Sequence, residues 1–245
     1  MLTGICLLPV IPMRKVKSDK SEMTSQILFG ETFKILEKSN QWSFVELHHD
    51  KYTGWIDNKQ YKEIKNPIKD YQISNKKYAN IQIKKTKQPL ILGSIIPKNQ
   101  KIRKQLNLIE SLSFSRTEPF KPWFIKIAKK YLNTPYLWGG RTTLGIDCSG
   151  YTQIVYRFFD IKLPRDAYQQ AQKGEKINSL NNISLGDLAF FGKNNAISHV
   201  GIVLDKNQII HASGKVRIDY LDKQGIFNIE SKSYTHQLKF IKRII

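Results

Sequence analysis

The sequence predicts an α+β protein in which an all-β N-terminal region precedes a region that combines helices with a sheet. Up to about residue 65, short β-branched and aromatic runs alternate with turn-forming clusters, which is typical of a small β-barrel. Beyond residue 118, apolar residues first recur at helical spacing and then form short strand-like runs. Helices followed by consecutive strands are typical of the α+β class.

The strands expected in the first region are ICLLPVIPM, ETFKILEK, WSFVELHH and YTGWID, and we interpret the first run as a single strand. Turn-forming clusters at 38–40 and 49–51 separate some of these runs. Residues 66–118 are harder to assign. Their runs YANIQIKK, PLILGSIIP and LIESLSFS are compatible with about four or five more short strands, or with an extended linker.

The second region begins with a helix, because Pro122 suits a first helical turn and apolar residues follow at helical spacing. Thr134 and Pro135 end this helix, and a second helix begins near Cys148. A short helix is expected at about 166–173. The strands expected after it are LAFFG, HVGIVL, QIIHA and LKFIKRII.

Cys148 stands where a glycine-rich loop passes into an amphipathic helix, whose apolar face is marked by Tyr151, Val155, Phe158 and Phe159. At a helix N-terminus, unpaired N–H groups and the positive end of the dipole favour thiolate over thiol. The position therefore predicts a nucleophile. A lone cysteine is more often a small buried residue, so position alone leaves both interpretations open.

Two downstream histidines supply what a cysteine nucleophile needs, namely a base and a group that orients the base. His199 opens the run SHVGIVL and His211 ends the run QIIHASG, so we expect them on neighbouring strands. Either histidine alone would be read as a buried core residue. Together with Cys148, they favour a Cys-His-His catalytic arrangement.

The motifs PYLWGG, GIDCSG, GDLAFF, SHVGIVL and IIHASG, taken in this order, resemble the NlpC/p60 family of papain-like cysteine peptidases. The resemblance covers roughly the second half of the chain. It implies Cys148 as nucleophile, His199 as base and His211 as the residue that orients His199. It also implies that Tyr136 lies beside the nucleophile and helps to stabilise the oxyanion, the alternative being a core aromatic. No cofactor is implied.

The pair WSFVEL and YTGWID resembles the central hairpin of a bacterial SH3-like barrel. The two resemblances together predict three segments. Residues 1–65 form an SH3-like barrel, 66–118 a reduced second SH3-like domain or a linker, and 119–245 an NlpC/p60 domain with a papain-like fold.

The barrel and the phrase LPRDAYQQ resemble a subgroup of these peptidases that cuts free murein peptides between γ-D-glutamate and the diamino acid. The resemblance implies that Asp166 binds the amino group of an N-terminal L-alanine, although an ordinary N-cap would also fit. The subgroup often has serine at the next position, where this chain has Ala167. Glu22 and Tyr52 match substrate-binding residues of the barrel but could equally be solvated loop residues. Ser149 is a further candidate for substrate binding.

The predicted function is therefore a cysteine endopeptidase of murein peptide recycling, with L-Ala-γ-D-Glu-(diamino acid) peptides as substrate. Two alternatives stay open. One is a secreted peptidoglycan hydrolase that acts on the polymeric wall, and the other is a non-catalytic wall-binding protein. The sequence does not predict which diamino acid is accepted, nor the oligomeric state.

The chain is strongly basic, with 40 Lys and Arg against 20 Asp and Glu and a formal charge of +20. Such a balance would suit a nucleic acid. However, the lysines are scattered through every segment and no recognition-helix or aromatic-plus-basic motif is visible. We therefore expect no nucleic-acid partner. A weaker interpretation is attraction to anionic cell-wall fragments.

The first apolar run, GICLLPVIPM, is too short to span a bilayer and lacks the features of a signal peptide. We therefore expect no membrane insertion and a cytoplasmic location, or a secreted or periplasmic one if a leader was removed. Cys6 and Cys148 are expected to be free thiols, since a disulfide would consume the nucleophile. No spacing of Cys and His suggests a metal site.

Overall fold

The computed structural model describes residues 2–108, 118–194 and 196–244. The chain divides into two compact units, one of Met1–Arg116 with Trp138–Thr143 and the other of Thr117–Leu137 with Leu144–Ile245. The run LIESLSFS, for which a short strand or an extended linker was expected, lies outside the described residues except for Leu108. Within the described part of the chain, no helix is long and apolar enough to cross a membrane.

The first unit contains a seven-stranded antiparallel sheet in the order β3-β2-β6-β5-β4-β1-β7. Its strands are β1 (Thr3–Cys6), β2 (Val10–Arg14), β3 (Met23–Leu28), β4 (Thr32–Lys38), β5 (Trp42–Leu47), β6 (Thr53–Asp57) and β7 (Tyr61–Ile64), with a 3-10 turn at Asn58–Gln60. Alternate apolar side chains of these strands, among them Ile11, Met13 and Val45, form a fully buried core. The predicted all-β N-terminal region is confirmed.

The first apolar run forms two strands rather than the single strand predicted. β1 ends at Cys6 and β2 begins at Val10, with a bend between them. Pro9 has no N–H to give to a strand ladder and restricts the residue before it, so the chain turns at this point. The Cys6 thiol lies against the turn, 3.1 Å from the carbonyl oxygen of Leu8.

Residues 66–108 fold against the barrel within the first unit. Their elements are β8 (Tyr71–Ile73), β9 (Tyr78–Ile83), β10 (Thr86–Ile91), β11 (Ile95–Pro97) and α1 (Gln100–Gln105). β9 pairs with β10 and β8 with β11, all antiparallel. Ile81, Leu90 and Ile96 share one buried cluster with Ile5 and Phe29 of the barrel. That this segment is a reduced second SH3-like domain stays a prediction.

A buried ion pair lies in the first unit. The guanidinium of Arg141 donates to both carboxylate oxygens of Glu31 at 2.9 Å, and both side chains are fully buried. Arg141 also donates to the backbone oxygen of Gln26 at 2.6 Å. Its strand, β12 (Arg141–Thr142), follows Gly139, whose φ of +75° and closeness to the carbonyl of Met23 leave no room for a side chain.

The second unit places its helices before its sheet. The helices are α2 (Phe120–Lys129), α3 (Cys148–Arg157) and α4 (Ala167–Gln170), with a 3-10 turn at Leu180–Asn182. The strands are β13 (Gly145–Ile146), β14 (Glu175–Ile177), β15 (Leu188–Phe191), β16 (His199–Asp205), β17 (Gln208–Ser213), β18 (Lys215–Leu221), β19 (Gly225–Asn228) and β20 (Ser233–Arg243). The predicted α+β layout is confirmed.

The main sheet of the second unit is antiparallel and runs in the order β14-β20-β15-β16-β17-β18-β19. β20 pairs also with β19, so the pairings from β15 to β20 form a closed ring. α3 packs on β16 and β17. The first turn of α3 and the start of β16 are thereby held together, and this positions the candidate site.

Three strands of this sheet, β14, β18 and β19, were not predicted, and β20 begins earlier than the predicted run LKFIKRII. β18 has the sequence KVRIDYL, in which charged residues alternate with apolar ones. Aspartate is depleted in strands, so the propensity argued against this assignment. Two charged side chains of β18, Arg217 and Asp219, belong to the site described below.

Replacing Glu31 with glutamine removes the carboxylate that pairs directly with the buried guanidinium of Arg141. We expect the free energy of unfolding of the first unit to fall by about 3–5 kcal/mol, because breaking a buried pair leaves a desolvated charge uncompensated. Urea denaturation measures the change. Glu63→Gln is the control, since Glu63 pairs with Lys38 at the surface and little change is expected. Equal stability of both variants would contradict this prediction.

Candidate active site

Cys148 is the first residue of α3, as the sequence predicts. Asp147 caps the helix, because its side chain accepts the backbone N–H of Gly150 at 2.7 Å. The thiol is nearly buried, with 6% of the residue exposed, and it is not in a disulfide. The backbone N–H groups of Val200 and Ser149 hydrogen-bond to its sulfur.

The thiol of Cys148 is protonated at rest, which corrects the prediction that its position favours thiolate. Burial, together with a smaller contribution from the carboxylate of Asp147, raises its pKa to about 12. The N–H groups at the sulfur and the cation of Arg165 act in the opposite direction but do not prevail. The helix terminus is present, but desolvation outweighs it. Ionisation of this thiol therefore requires a neighbouring base.

The two predicted histidines lie on neighbouring strands, and their rings are hydrogen-bonded. In the antiparallel pair β16–β17, His211 stands opposite Gly201. Nε2 of His199 and Nδ1 of His211 are 2.9 Å apart. Because Val200 contacts the Cys148 sulfur, the start of β16 places His199 beside the thiol. The structure thus brings Cys148, His199 and His211 together.

Gly201 provides the space in which the histidines meet. A Cβ at this position would lie 2.9 Å from Cβ of His211 and 2.7 Å from Cδ1 of Ile209. Any side chain here would push His211 away from the strand that carries His199. The glycine in SHVGIVL is therefore required by the close approach of a side chain rather than by a turn.

Both histidines are neutral because they are buried. Burial holds the pKa of His199 well below its usual range, and His211 and His236 contribute to the same direction. Burial also lowers the pKa of His211, although its bond with Asp219 partly opposes this. A neutral imidazole has a free lone pair, so His199 can accept a proton from the thiol.

Three residues of the site were missed by the sequence analysis. Nε2 of His211 lies 3.1 Å from Oδ2 of Asp219, which is fully buried. Arg217 donates to both carboxylate oxygens of Asp219, from Nε at 2.6 Å and from a terminal nitrogen at 3.0 Å. The ring of His236 stacks on that of His199, with centroids 4.2 Å apart.

Asp219 and Arg217 could have been found from a hairpin. β17 and β18 are joined by a tight turn at Gly214, whose φ is +69°, and this places His211 opposite Arg217. A hairpin centred on the glycine of HASGKVRID therefore predicts that pairing. No local sequence pattern predicts the position of His236. Its position depends on β20, which closes the sheet by pairing with both β15 and β19.

Asp219 is ionised. Burial by itself raises the pKa of its carboxyl, but hydrogen bonds from His211, Arg217 and the Ile229 N–H prevail and lower the pKa below its ordinary value. Burial lowers the pKa of His236 to about 4, with a further contribution from His211. The three histidines are thus neutral, and Asp219 is the anion in direct contact with His211.

Arg165 joins the start of α3 to the segment before α4. It donates to both oxygens of Asp147, at 3.0 and 2.5 Å, and to the Ser149 hydroxyl at 3.0 Å. Ser149 is therefore buried in this network. The neighbouring Asp166 is half-buried and occupies the N-cap position of α4, with Gln169 completing a capping box. The N-cap interpretation of Asp166 is thus observed, and substrate binding by Asp166 and Ser149 stays a prediction.

Tyr136 lies near Cys148, where the resemblance placed it. Its residue is 36% exposed, and its backbone N–H donates to the Gly214 carbonyl at 2.9 Å. Burial raises the pKa of its phenol, and the charges of Cys148 and Asp147 contribute to the same direction. The phenol therefore keeps its proton and can act as a hydrogen-bond donor.

Glu22 and Tyr52 both lie in the first unit. Glu22 is exposed and accepts hydrogen bonds from Nε1 of Trp138 at 2.8 Å and from Lys15 at 3.2 Å. Tyr52 packs against the core of the barrel. That either residue binds substrate stays a prediction. Among the described residues, no group of three or more His, Cys, Asp or Glu is arranged to hold a metal ion.

Two segments of the chain match known protein families. Residues 133–233 match the NlpC/P60 family, and residues 13–60 match the bacterial dipeptidyl-peptidase Sh3 domain. Residues 133–233 are an NlpC/P60 domain. The NlpC/P60 family is one of cysteine peptidases, so peptidase is the general function that the match supports. Both resemblances seen in the sequence are confirmed at the level of the domain family.

Two relatives share both parts of the chain. A gamma-D-glutamyl-L-lysine dipeptidyl-peptidase of Bacillus cereus is 24% identical over 229 residues, covering 80% of this chain and 68% of that protein. A protein of the same name from Bacillus subtilis is 25% identical over 213 residues, covering 77% and 71%. The crystal structure of an NlpC/P60 family protein from Bacillus cereus superposes with a TM-score of 0.79 at 18% identity and covers 99% of both chains, which shows a shared fold.

Acid should destabilise the NlpC/P60 domain before its carboxylates titrate. The usual pKa of histidine is 6.5, and the pKa values of His199, His211 and His236 lie below it in the folded protein. Below pH 6.5 the unfolded chain therefore binds protons that the folded chain does not. The free energy of unfolding should fall as pH falls, by up to about 1.4 kcal/mol per pH unit for each histidine.

Urea denaturation between pH 8 and pH 5 measures this slope. His199→Gln removes one of these three histidines, so the stability of the variant should depend less steeply on pH. A stability that is unchanged between these pH values, or a slope that His199→Gln leaves intact, would show that the histidines are already protonated in the folded protein.

Proposed function

We propose that the protein is a cysteine endopeptidase that cleaves the γ-D-glutamyl–diamino acid bond of free murein peptides with an N-terminal L-alanine. The hydrogen-bonded pair His199–His211 beside the buried thiol of Cys148 is the observation that carries the proposal. The names of the two Bacillus relatives support the choice of bond. A cytoplasmic role in recycling is part of this proposal.

In the proposed reaction, His199 takes the proton of the Cys148 thiol as the sulfur attacks the γ-D-glutamyl carbonyl. Attack and proton transfer occur together, because the thiol is protonated at rest. The oxyanion accepts hydrogen bonds from the phenol of Tyr136 and from the backbone N–H of Cys148. His199 then gives its proton to the leaving amine, which releases the diamino acid end of the peptide.

The second half-reaction uses the same groups. The acyl group is now held as a thioester on Cys148, and His199, neutral again, accepts a proton from water as the water attacks. The thiol leaves with a proton from His199, and L-Ala-D-Glu is released. His211 keeps the ring of His199 in one orientation through both steps, because the two nitrogens stay 2.9 Å apart.

Selectivity for a free N-terminus follows from Asp166 in this proposal. A half-buried carboxylate that meets an ammonium ion gains a charge-assisted hydrogen bond, and a substrate without that ammonium leaves the carboxylate unpaired. Ala167 lacks the hydroxyl that the subgroup often has at this place. The amine is therefore held by fewer contacts, and discrimination depends more on the charge of Asp166.

Cys148→Ala should abolish cleavage of L-Ala-γ-D-Glu-(diamino acid) tripeptides, because it removes the sulfur on which the acyl intermediate forms. Mass spectrometry of the products measures this. Cys6→Ala is the matched control, since it removes the only other thiol of the chain, from the barrel core, and should leave cleavage near the wild-type rate. Substantial turnover by Cys148→Ala would refute the nucleophile assignment.

N-Acetylation of the tripeptide should reduce kcat/KM, since the acetyl group removes the charge that Asp166 binds. We expect a loss of about 100-fold or more, as for other sites that leave a buried polar group unpaired. Asp166→Asn keeps the capacity to cap α4 but loses the charge. The kcat/KM values of this variant for the free and the acetylated tripeptide should therefore differ less than those of the wild-type protein.

Asp160→Asn is the control for the loss of a carboxylate. Asp160 is exposed just after α3, at a φ of +60° that asparagine also tolerates. Equal cleavage of the free and acetylated peptides by the wild-type protein would contradict recognition of the amine. Cleavage of intact sacculi would instead favour a hydrolase of the polymeric wall.

A further inference from the structure

A continuous chain of hydrogen bonds leads from His199 through His211 to Asp219. The two links measure 2.9 Å from His199 to His211 and 3.1 Å from His211 to Asp219. His199 is 5% exposed, His211 1% and Asp219 0%, so water does not compete for these bonds. Each atom in the chain must therefore find its partner within the protein.

The partners of Asp219 determine where the protons of this chain lie. Its Oδ1 accepts from Arg217 at 3.0 Å and from the Ile229 N–H at 3.1 Å. Its Oδ2 accepts from Nε of Arg217 at 2.6 Å and faces Nε2 of His211. An ionised carboxylate only accepts, so Nε2 of His211 must carry a proton.

The proton on His211 fixes the proton on His199. A neutral imidazole carries one N–H, so with Nε2 protonated the Nδ1 of His211 is an acceptor. That acceptor faces Nε2 of His199, which must then be the donor. The lone pair of His199 is left on Nδ1, the only ring nitrogen that remains for the thiol of Cys148.

We infer that Asp219 is a positioning residue, which sets the tautomers of His211 and His199 and so keeps the base lone pair of His199 available to Cys148. The inference rests on the proposed function only in taking Cys148 as the nucleophile and His199 as its base. It adds a fourth member to the predicted Cys-His-His set, and that member touches neither substrate nor the reacting atoms.

Arg217 holds Asp219 in place. It donates to Glu230 at 3.0 Å and to Asn228 at 3.0 Å in addition to Asp219, so it is fixed from three sides. The other titratable and charged groups around this series of hydrogen bonds are His236 on β20, and Cys148, Asp147 and Arg165 on the side of α3. Of all these groups, Asp219 is the one carboxylate seen to contact a ring nitrogen of His211 in the described structure.

Asp219→Asn tests this inference because it preserves shape while changing the proton pattern. The Ile229 N–H and the terminal nitrogen of Arg217 keep an oxygen at the Oδ1 position. The new amide N–H₂ then faces Nε2 of His211, and Nε of Arg217 must turn away from it. Nε2 becomes an acceptor, so both tautomers invert and Nδ1 of His199 acquires the proton.

The tautomers can be read directly with ¹⁵N-labelled histidine, since two-bond ¹H–¹⁵N spectra distinguish N–H from bare ring nitrogen. At pH 8 we expect His211 and His199 of the wild-type protein to be protonated at Nε2, and those of Asp219→Asn at Nδ1. In the Asp219→Asn variant, alkylation of Cys148 by iodoacetamide at pH 7 should be at least about tenfold slower than in the wild-type protein. Peptide cleavage should lose about 10²–10⁴-fold in kcat with little change in KM, as expected for a wrong tautomer.

Glu230→Gln is the matched control. It removes a carboxylate from the other side of the same Arg217 but leaves the bond between Asp219 and His211. Its tautomers should be those of the wild-type protein, and its alkylation rate should change by less than about twofold. A merely structural role of the arginine cluster would instead affect both variants alike.

A wild-type spectrum in which Nδ1 of His211 carries the proton would overturn the inference, and this holds even where Asp219→Asn does not fold. The inference would also be overturned if a folded Asp219→Asn protein kept the wild-type tautomers and the wild-type kcat. If the wild-type protein shows the expected tautomers and reacts with iodoacetamide yet cleaves no murein peptide, the proposed substrate is wrong and the role of Asp219 stands.

Discussion

The thiol of Cys148 and the rings of His199 and His211 are all withdrawn from water, and this desolvation governs the chemistry of the NlpC/P60 domain. Burial raises the pKa of the thiol to about 12 and lowers the pKa of both histidines. Each group is therefore neutral at rest, and a charged pair forms only when a proton moves from sulfur to nitrogen. Such a site resists spontaneous thiolate chemistry and reacts when an electrophile is already positioned against the sulfur.

Burial also explains why the site contains more polar residues than a catalytic set needs. A buried imidazole has two nitrogens, and each requires a partner. For His199 one partner is His211, and for His211 the second is Asp219. The carboxylate in turn would be costly to bury alone, and Arg217 compensates it with two hydrogen bonds. The series of hydrogen bonds ends at Arg217, which also donates to the exposed Glu230.

The parts of the fold and site that follow from local signals could be predicted from the sequence. The glycine-rich loop before Cys148 and the apolar face after it indicated the helix start, and the β-branched runs around His199 and His211 indicated adjacent strands. Asp219 follows only if a β17–β18 hairpin is assumed around Gly214, and His236 could not be placed from a local signal. β18 contradicts strand propensity with its charged residues, and the register of β20 depends on closure of the whole sheet.

The wrong prediction about the thiolate has the same physical origin. A helix terminus is a local feature worth about 0.3–2 kcal/mol, and a sequence displays it. Burial of the sulfur depends on α3 packing against β16, which no local pattern reports, and it shifts the pKa in the other direction. Asp147 adds to that shift although it is also the cap that begins the helix. One carboxylate thus positions the cysteine and discourages its ionisation, which is why the base next to it must carry its lone pair on the correct nitrogen.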